Sequence, residues 1–429
     1  MRLPVGVRAL ALLLAISCDR VRDLPYVQPH ATLTAVAPRV SSGPWLLDPG
    51  PATMTVAWLT ATPSIGRVFY GTATPDNEAT EITEASLEHR VTLRELQPST
   101  QYKYKIEGAN DASWFTTAPE PGADGPFDVL IYGDNRSNNG DHSLVARAAA
   151  AERAPLALHT GDMVVNAKDD ELWRIWFDEE HDLLAHSPLV PTVGNHEITD
   201  TGVAYSKYFQ HRNKPAYWSL DYGPLHIDVL DSFEVAAGAT PHSSGVSDAQ
   251  RSWFLEDVKS VPKDRSIWVL VHQGVYSHPE KMRPGHGGSE RVLEAVQAAR
   301  KIHPIAGVFA GHEHFYQRGE TDGLKWFVFG GGGAPLEDAD SSFPGVAAAA
   351  KSLSYAVIHV CGCHASGQVK DIAGHVIDSF QLSTCATPCG APDAAPIAPA
   401  RKPARAPTPA PVAPAPEIDG GADVDGGGQ

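Results

Sequence analysis

Positive charge is in short supply in this chain of 429 residues. Its 34 Lys and Arg face 51 Asp and Glu, for a formal net charge of −17. That balance excludes wholesale nucleic-acid binding through a basic surface. An acidic protein that handles anions needs a local positive centre, and bound metal would supply one. Long apolar runs are lacking near the N-terminus too: Ala9 to Ile16 is too short to span a bilayer as a stable helix. Cysteine is scarce, with five in all, and no internal repeat is found. What the chain does have is a hydrophobic content of 42 % and a mean hydropathy of −0.21, which fit a soluble protein with a real core. Its length points to two or three domains.

Arg2 and Arg8 precede the Ala9–Ile16 run, and Ala15-Ile16-Ser17-Cys18 resembles a bacterial lipoprotein cleavage site. Residues 1–18 therefore read as a signal peptide ending at a lipidated Cys18. The expected destination is the periplasm, the cell surface or the medium, with membrane contact only through that anchor. Ordinary secretion with cleavage near the same point is the alternative. Setting Cys18 aside leaves Cys361, Cys363, Cys385 and Cys389. An even number in an exported chain favours two disulfides, expected between the 361/363 pair and the 385/389 pair, over a zinc site.

Residues 30–117 read as a small all-β domain. Thr55-Val56-Ala57-Trp58 and Gly66-Arg67-Val68-Phe69-Tyr70 are strand-like, with Gly and Pro between them. Leu96-Gln97-Pro98 followed by Tyr102 resembles the tyrosine corner of a fibronectin type III-like sandwich. Thr117 to Gly125, rich in Pro and Gly, reads as a linker. From 126 to 385 strands and helices alternate. Strands are expected at Phe127–Tyr132, Leu156–Thr160, Ile267–Val271 and Ile305–Ala310, and helices at Leu144–Arg153, Ser247–Val258 and Glu290–Ile302. Residues 390–429, dominated by Ala and Pro and then by Gly and Asp, lack the large apolar residues of a core and read as a disordered tail.

Five short runs carry the chemistry: Gly133-Asp134, Gly161-Asp162, Gly194-Asn195-His196-Glu197, Val271-His272 and Gly311-His312-Glu313-His314. Alone, Asp134 would be a helix cap, Asn195 a turn residue and His272 a core histidine. Together they supply two carboxylates, an amide oxygen and imidazoles, mostly at strand ends, where open α/β sheets bind ligands. Such a set suits two metal ions with room for water and substrate, and its nitrogen ligands suit zinc, iron or manganese. Asp162 is the better bridge. His196 is placed to hydrogen-bond a phosphate or protonate a leaving alkoxide, oriented by Glu197. Arg136 either grips phosphate oxygens or pairs with a carboxylate such as Asp141. His142 either approaches the site or is merely solvated.

This series resembles the calcineurin-like metallophosphoesterases, specifically the purple acid phosphatase branch with its N-terminal β domain. The resemblance runs from about residue 30 to 333 and includes Tyr217-Trp218-Ser219-Leu220-Asp221-Tyr222-Gly223 and Gly311 to Arg318. It implies an α/β fold in which a β-sandwich flanked by helices follows a small all-β sandwich. It also implies a metal position of Asp134, Asp162 and His314, and a second of Asp162, Asn195, His272 and His312. His196 and His278 match substrate-side histidines. The expected protein is an exported phosphomonoesterase that attacks a phosphate ester with a hydroxide activated by two metals. The alternatives are a phosphodiesterase or nucleotide-processing esterase on the same centre, and a non-catalytic surface-binding protein. The pocket walls are expected from Asp200–Pro215 and His278–Gly288.

Two departures from the resemblance stand out. The purple enzymes carry a tyrosine three residues after the bridging aspartate, where this chain has Val165; Asn166 is a candidate to help fill the shell there. Many superfamily members place a histidine where Arg136 stands. Loss of one anionic ligand disfavours ferric iron and favours a divalent pair of zinc, iron or manganese. Active protein should therefore lack the visible charge-transfer band of a metal tyrosinate; a strong band of that origin in its absorption spectrum would overturn this reading.

Overall fold

The computed structural model describes residues 38–80, 84–200, 202–209, 215–234 and 245–382. The signal-peptide segment, Cys18, Cys385, Cys389 and the 390–429 tail fall outside these residues, as do parts of the expected pocket walls.

Seven strands form the N-terminal domain: β1 (Val40–Leu47), β2 (Met54–Ser64), β3 (Arg67–Gly71), β4 (Asn77–Thr80), β5 (Ser86–Leu93), β6 (Gln101–Ile106) and β7 (Ser113–Thr116). They make two antiparallel sheets, β1-β2-β5 and β4-β3-β6-β7. Alternation places Val56 and Trp58 of one sheet against Tyr102, Tyr104 and Phe115 of the other. The tyrosine corner is present: the Tyr102 hydroxyl accepts the Gln97 backbone N–H at 2.9 Å.

The expected linker is not a loose tether. Thr117 and Ala118 are buried, and Thr117 Oγ1 donates to the Gln97 carbonyl at 2.6 Å. Gly122 N–H reaches the Gly223 carbonyl at 2.7 Å in the following domain. Pro and Gly serve here to turn the chain against two surfaces at once.

The second domain continues with β8 (Phe127–Tyr132), α1 (Asn139–Ala151), β9 (Leu156–His159), α2 (Asp170–Glu179), α3 (His181–Leu184), β10 (Leu189–Pro191), α4 (Val203–Phe209), β11 (Trp218–Tyr222) and β12 (Leu225–Leu230). Then come α5 (Asp248–Ser260), β13 (Ser266–Val271), α6 (Glu290–Arg300), β14 (Ile305–Ala310), β15 (Tyr316–Thr321), β16 (Leu324–Phe329), β17 (Val346–Ala350), β18 (Ser354–Cys361), β19 (His364–Asp371) and β20 (Val376–Gln381). Two mixed sheets result, β10-β9-β8-β18-β19-β20 and β11-β12-β13-β14-β16-β15-β17. The apolar β8 run shows why both faces must be covered. Val129 and Ile131 enter the core between the sheets, while Leu130 and Tyr132 pack with residues of α1 and α2. Helices α5 and α6 cover the other sheet around Val269 and Val271. Asn138, Ser247 and Ser289 cap α1, α5 and α6 with side-chain oxygens. The first of these helices therefore starts earlier than the Leu144 expected from its apolar residues.

Helix α5 is fixed to its sheet by buried charge. His226 Nδ1 lies 2.9 Å from Asp221 and its Nε2 3.1 Å from Asp257, with Asp228 at 3.7 Å. Burial alone would lower the His226 pKa, but its hydrogen bonds to Asp221 and Asp257 and the nearby Asp228 carboxylate outweigh it and push it up to about 11. The sign follows: the stabilisation is complete below the ordinary 6.5 and is lost as pH rises toward about 11. His226→Gln should cost about 3–5 kcal/mol near neutral pH, as for breaking a buried ion pair. It should also flatten the alkaline decline in stability, both read from urea unfolding across that pH range.

Candidate metal centre

The predicted ligands meet beyond the carboxyl ends of neighbouring strands. Asp134 follows β8, Asp162 follows β9, Asn195 follows β10, His272 follows β13, and His312 and His314 follow β14. Three of them hold left-handed backbone: Asp134 (φ 60°), Asp162 (φ 57°) and His312 (φ 73°). Each such residue costs roughly 1–2 kcal/mol relative to ordinary backbone, and residues so held cluster at functional sites. The adjoining glycines are needed for clearance. A Cβ on Gly194 would strike the Asp162 carboxylate, and one on Gly311 would strike that of Asp134.

Asn195 Oδ1 lies 3.1 Å from His272 Nε2 and 3.0 Å from His312 Nδ1, and the two nitrogens are 3.3 Å apart. Asp162 Oδ1 stands 3.4 Å from His272 Nε2. Four lone-pair atoms gathered at this spacing match the edges of a coordination polyhedron with metal–ligand bonds of about 2.0–2.2 Å. Backbone carbonyls fix the tautomers. His272 Nδ1–H donates to Thr160 O at 2.6 Å and His312 Nε2–H to Gly285 O at 3.1 Å, so the other nitrogens point inward as acceptors. Burial, then repulsion from His272, lowers the His312 pKa to about 3, keeping it the neutral imidazole a metal requires; against burial, Asp162 raises His272 to about 9, so a metal ion would displace a proton from its Nε2. The second metal position thus fits its ion.

The first position is differently furnished. His314 Nδ1–H donates to Pro335 O at 2.9 Å, presenting Nε2 inward. That nitrogen lies 3.2 Å from Arg136 Nη2, and Arg136 Nε lies 3.1 Å from Asp162 Oδ2. Asp134 is fully buried, and its two carboxylate oxygens accept the His312 backbone N–H at 2.9 and 3.1 Å. Arg136 thus pairs with Asp162 and not with Asp141, which bonds to Asn138.

Other expectations are corrected. Glu197 does not orient His196: its carboxylate accepts the backbone N–H groups of Gly194 (2.8 Å), Asp162 (2.9 Å) and Met163 (2.9 Å). It braces two ligand loops from beneath. His196 is instead held by its Nδ1–H donating to Val165 O at 2.7 Å, with Nε2 3.9 Å from Asp162 Oδ2. His278 stacks on Phe343 with ring centroids 3.5 Å apart and packs against Trp326. The histidine that reaches the ligands is His286, stacked on His312 at 4.8 Å with Nδ1 3.2 Å from Glu313 Oε2. His142 is buried against Glu180 at 2.7 Å. Asn166 is exposed, where it accepts from the Lys168 backbone, and so does not complete a coordination shell. Tyr316 and Arg318 both bond to Asp378, a structural use.

Both domains have counterparts among known proteins. Residues 128–316 match the calcineurin-like phosphoesterase family and residues 45–118 the purple acid phosphatase N-terminal domain. The second domain is thus similar to the calcineurin-like phosphoesterases, and the pairing of the two domains is similar to that of the purple acid phosphatases. Purple acid phosphatase 1 of Ipomoea batatas is 26 % identical over 257 residues, 54 % of this chain and 52 % of that one. Phosphoenolpyruvate phosphatase of Allium cepa is 26 % identical over 318 residues, covering 66 % and 63 %. Fe(3+)-Zn(2+) purple acid phosphatase 12 of Arabidopsis thaliana is 24 % identical over 274 residues, covering 58 % and 56 %. The chain spans between about half and just under two thirds of these relatives. In fold it is similar to a purple acid phosphatase from yellow lupin (Lupinus luteus) seeds, with a TM-score of 0.64 and 17 % identity over 81 % of this chain and 77 % of that one.

Glu197→Ala would leave several buried backbone N–H groups without a partner, at on the order of 3 kcal/mol or more in total. Denaturant unfolding should show that loss together with weaker metal retention. Unchanged stability would show that the brace is dispensable.

Proposed function

We propose that this protein is an exported, metal-dependent phosphoric ester hydrolase acting on phosphomonoesters. The observation that carries this reading is the convergence of Asn195 Oδ1, His272 Nε2 and His312 Nδ1 within 3.3 Å of one another beside Asp162. A cation held there would supply positive charge for phosphate oxygens and acidify a water molecule at neutral pH. The chain's own residues do the rest. Asp162 carries negative charge between the two halves of the centre. Its loop is held by Glu197, and its Oδ1 accepts the His196 backbone N–H at 3.1 Å. His196, partly exposed, is kept in one orientation by Val165 O, and its Nε2 is the atom placed to meet a phosphate oxygen or the departing alkoxide. The names of the curated relatives, phosphatases throughout, support the same class. Export rests on the Arg2, Arg8, Ala9–Ile16 and Cys18 pattern.

The test is turnover of an aryl phosphate and an aryl phosphodiester by purified protein supplied with zinc, manganese or iron. Hydrolysis of the monoester is expected, and Asp162→Ala should abolish it and release metal. His196→Ala should lower kcat by about 100-fold or more while metal content holds, the range for loss of a proton donor. No turnover by folded protein with any of the metals would favour a binding role; preference for the diester would reassign the substrate.

A further inference from the structure

The two halves of the centre are unlike. One gathers Asn195 Oδ1, His272 Nε2 and His312 Nδ1 beside Asp162 Oδ1. The other already contains a cation, the Arg136 guanidinium. Its Nε donates to Asp162 Oδ2 and its Nη2 to His314 Nε2, at 3.1 and 3.2 Å. These are the two acceptors that would complete the first metal position with Asp134. Each is satisfied by an N–H that fits it: a carboxylate oxygen, and a ring nitrogen whose tautomer is set by Pro335 O. The Asp162 carboxylate is divided accordingly. Oδ1 faces His272 at 3.4 Å and accepts the His196 N–H at 3.1 Å, while Oδ2 faces the guanidinium.

We propose that Arg136 permanently takes the place of one cation, so that the working centre is one metal ion plus one guanidinium, bridged by Asp162. Two features of the chain keep the charge there. The guanidinium is largely buried, its side chain 19 % exposed, so its repulsion of a dication at contact distance is weakly screened. Ser137 Oγ accepts from Nη1 at 3.2 Å, holding the group in place from its outer side. A planar guanidinium remains charged at any working pH and can present N–H groups to a phosphate oxygen, which preserves the electrostatic part of a second metal's contribution. It cannot acidify a water molecule, so the nucleophile belongs to the Asn195, His272 and His312 side. This inference rests on the hydrolase reading above but is tested apart from it.

Protein purified without chelator is saturated with Mn(II), freed of excess ion, and examined by elemental analysis and electron paramagnetic resonance. One ion per chain with the spectrum of an isolated Mn(II) is expected. Arg136→His, which restores a ligand and removes the charge, should take up two ions per chain and show an exchange-coupled pair. Arg136→Ala should tighten binding of a second ion at least 10-fold. Two ions per wild-type chain with a coupled spectrum overturns the proposal and leaves the hydrolase reading intact. No ion in the folded wild type overturns both. Arg136→His remaining at one ion would overturn the role given to the guanidinium; should the variants fail to fold, the wild-type count decides.

Discussion

Everything at the centre depends on keeping one buried carboxylate, that of Asp162, ionised and correctly aimed. Burial works against the charge, yet attraction to His272, His196 and Arg136 holds its pKa well below the ordinary carboxylate range. The backbone at this residue is left-handed and cannot be counted on to stay so by itself. Glu197 secures it by gathering the N–H groups of the loops on either side. Its own carboxyl is pushed up to about 7, chiefly by burial and then by Asp162. Two acids at such close range would repel; the backbone N–H groups bonded to Glu197 and the charge of His272 make the arrangement tenable.

The remaining ligands follow the same economy. Each imidazole uses one nitrogen on a main-chain carbonyl and turns the other to the pocket, so orientation is settled by backbone that the sheets already fix. His272 is bound to the loop beyond β9, His312 to the loop at Gly285, and His314 to the loop at Pro335. Ligand geometry is thus a by-product of strand order.

Much of this was written in the sequence. Phe127–Tyr132 and Ile305–Ala310 are apolar runs ending near glycine and a ligand-type residue, and both are strands with the expected limits. All six candidate ligands follow strand ends, as the paired motifs suggest, because a strand end leaves few directions for the next side chain. The roles of Glu197, His278 and His286 were not legible. Adjacency to His196 says nothing about which way a buried carboxylate turns, and His286 lies in an Arg283-Pro284-Gly285-His286-Gly287-Gly288 loop without periodicity. The signal available was its neighbours: glycines on both sides allow a loop to fold down onto Glu313, whose carboxylate accepts the Gly287 N–H at 2.6 Å. The aromatic spacing of Trp173, Trp176 and Phe177 is a helical pattern, but it does not disclose what covers it.

What covers it is the other domain. Trp45 of β1 stacks on Phe177 with centroids 4.4 Å apart, and its indole N–H donates to the Tyr208 carbonyl at 3.1 Å. Tyr104 reaches the Ala185 carbonyl at 2.8 Å and Arg90 the Lys207 carbonyl at 2.7 Å. One hydrophobic cluster therefore runs unbroken from the N-terminal sandwich through α2 to α4, the helix that follows the Asn195 loop. The sandwich is consequently a buttress rather than an accessory: prising it away would bare Trp45, Phe177 and Tyr208 to water.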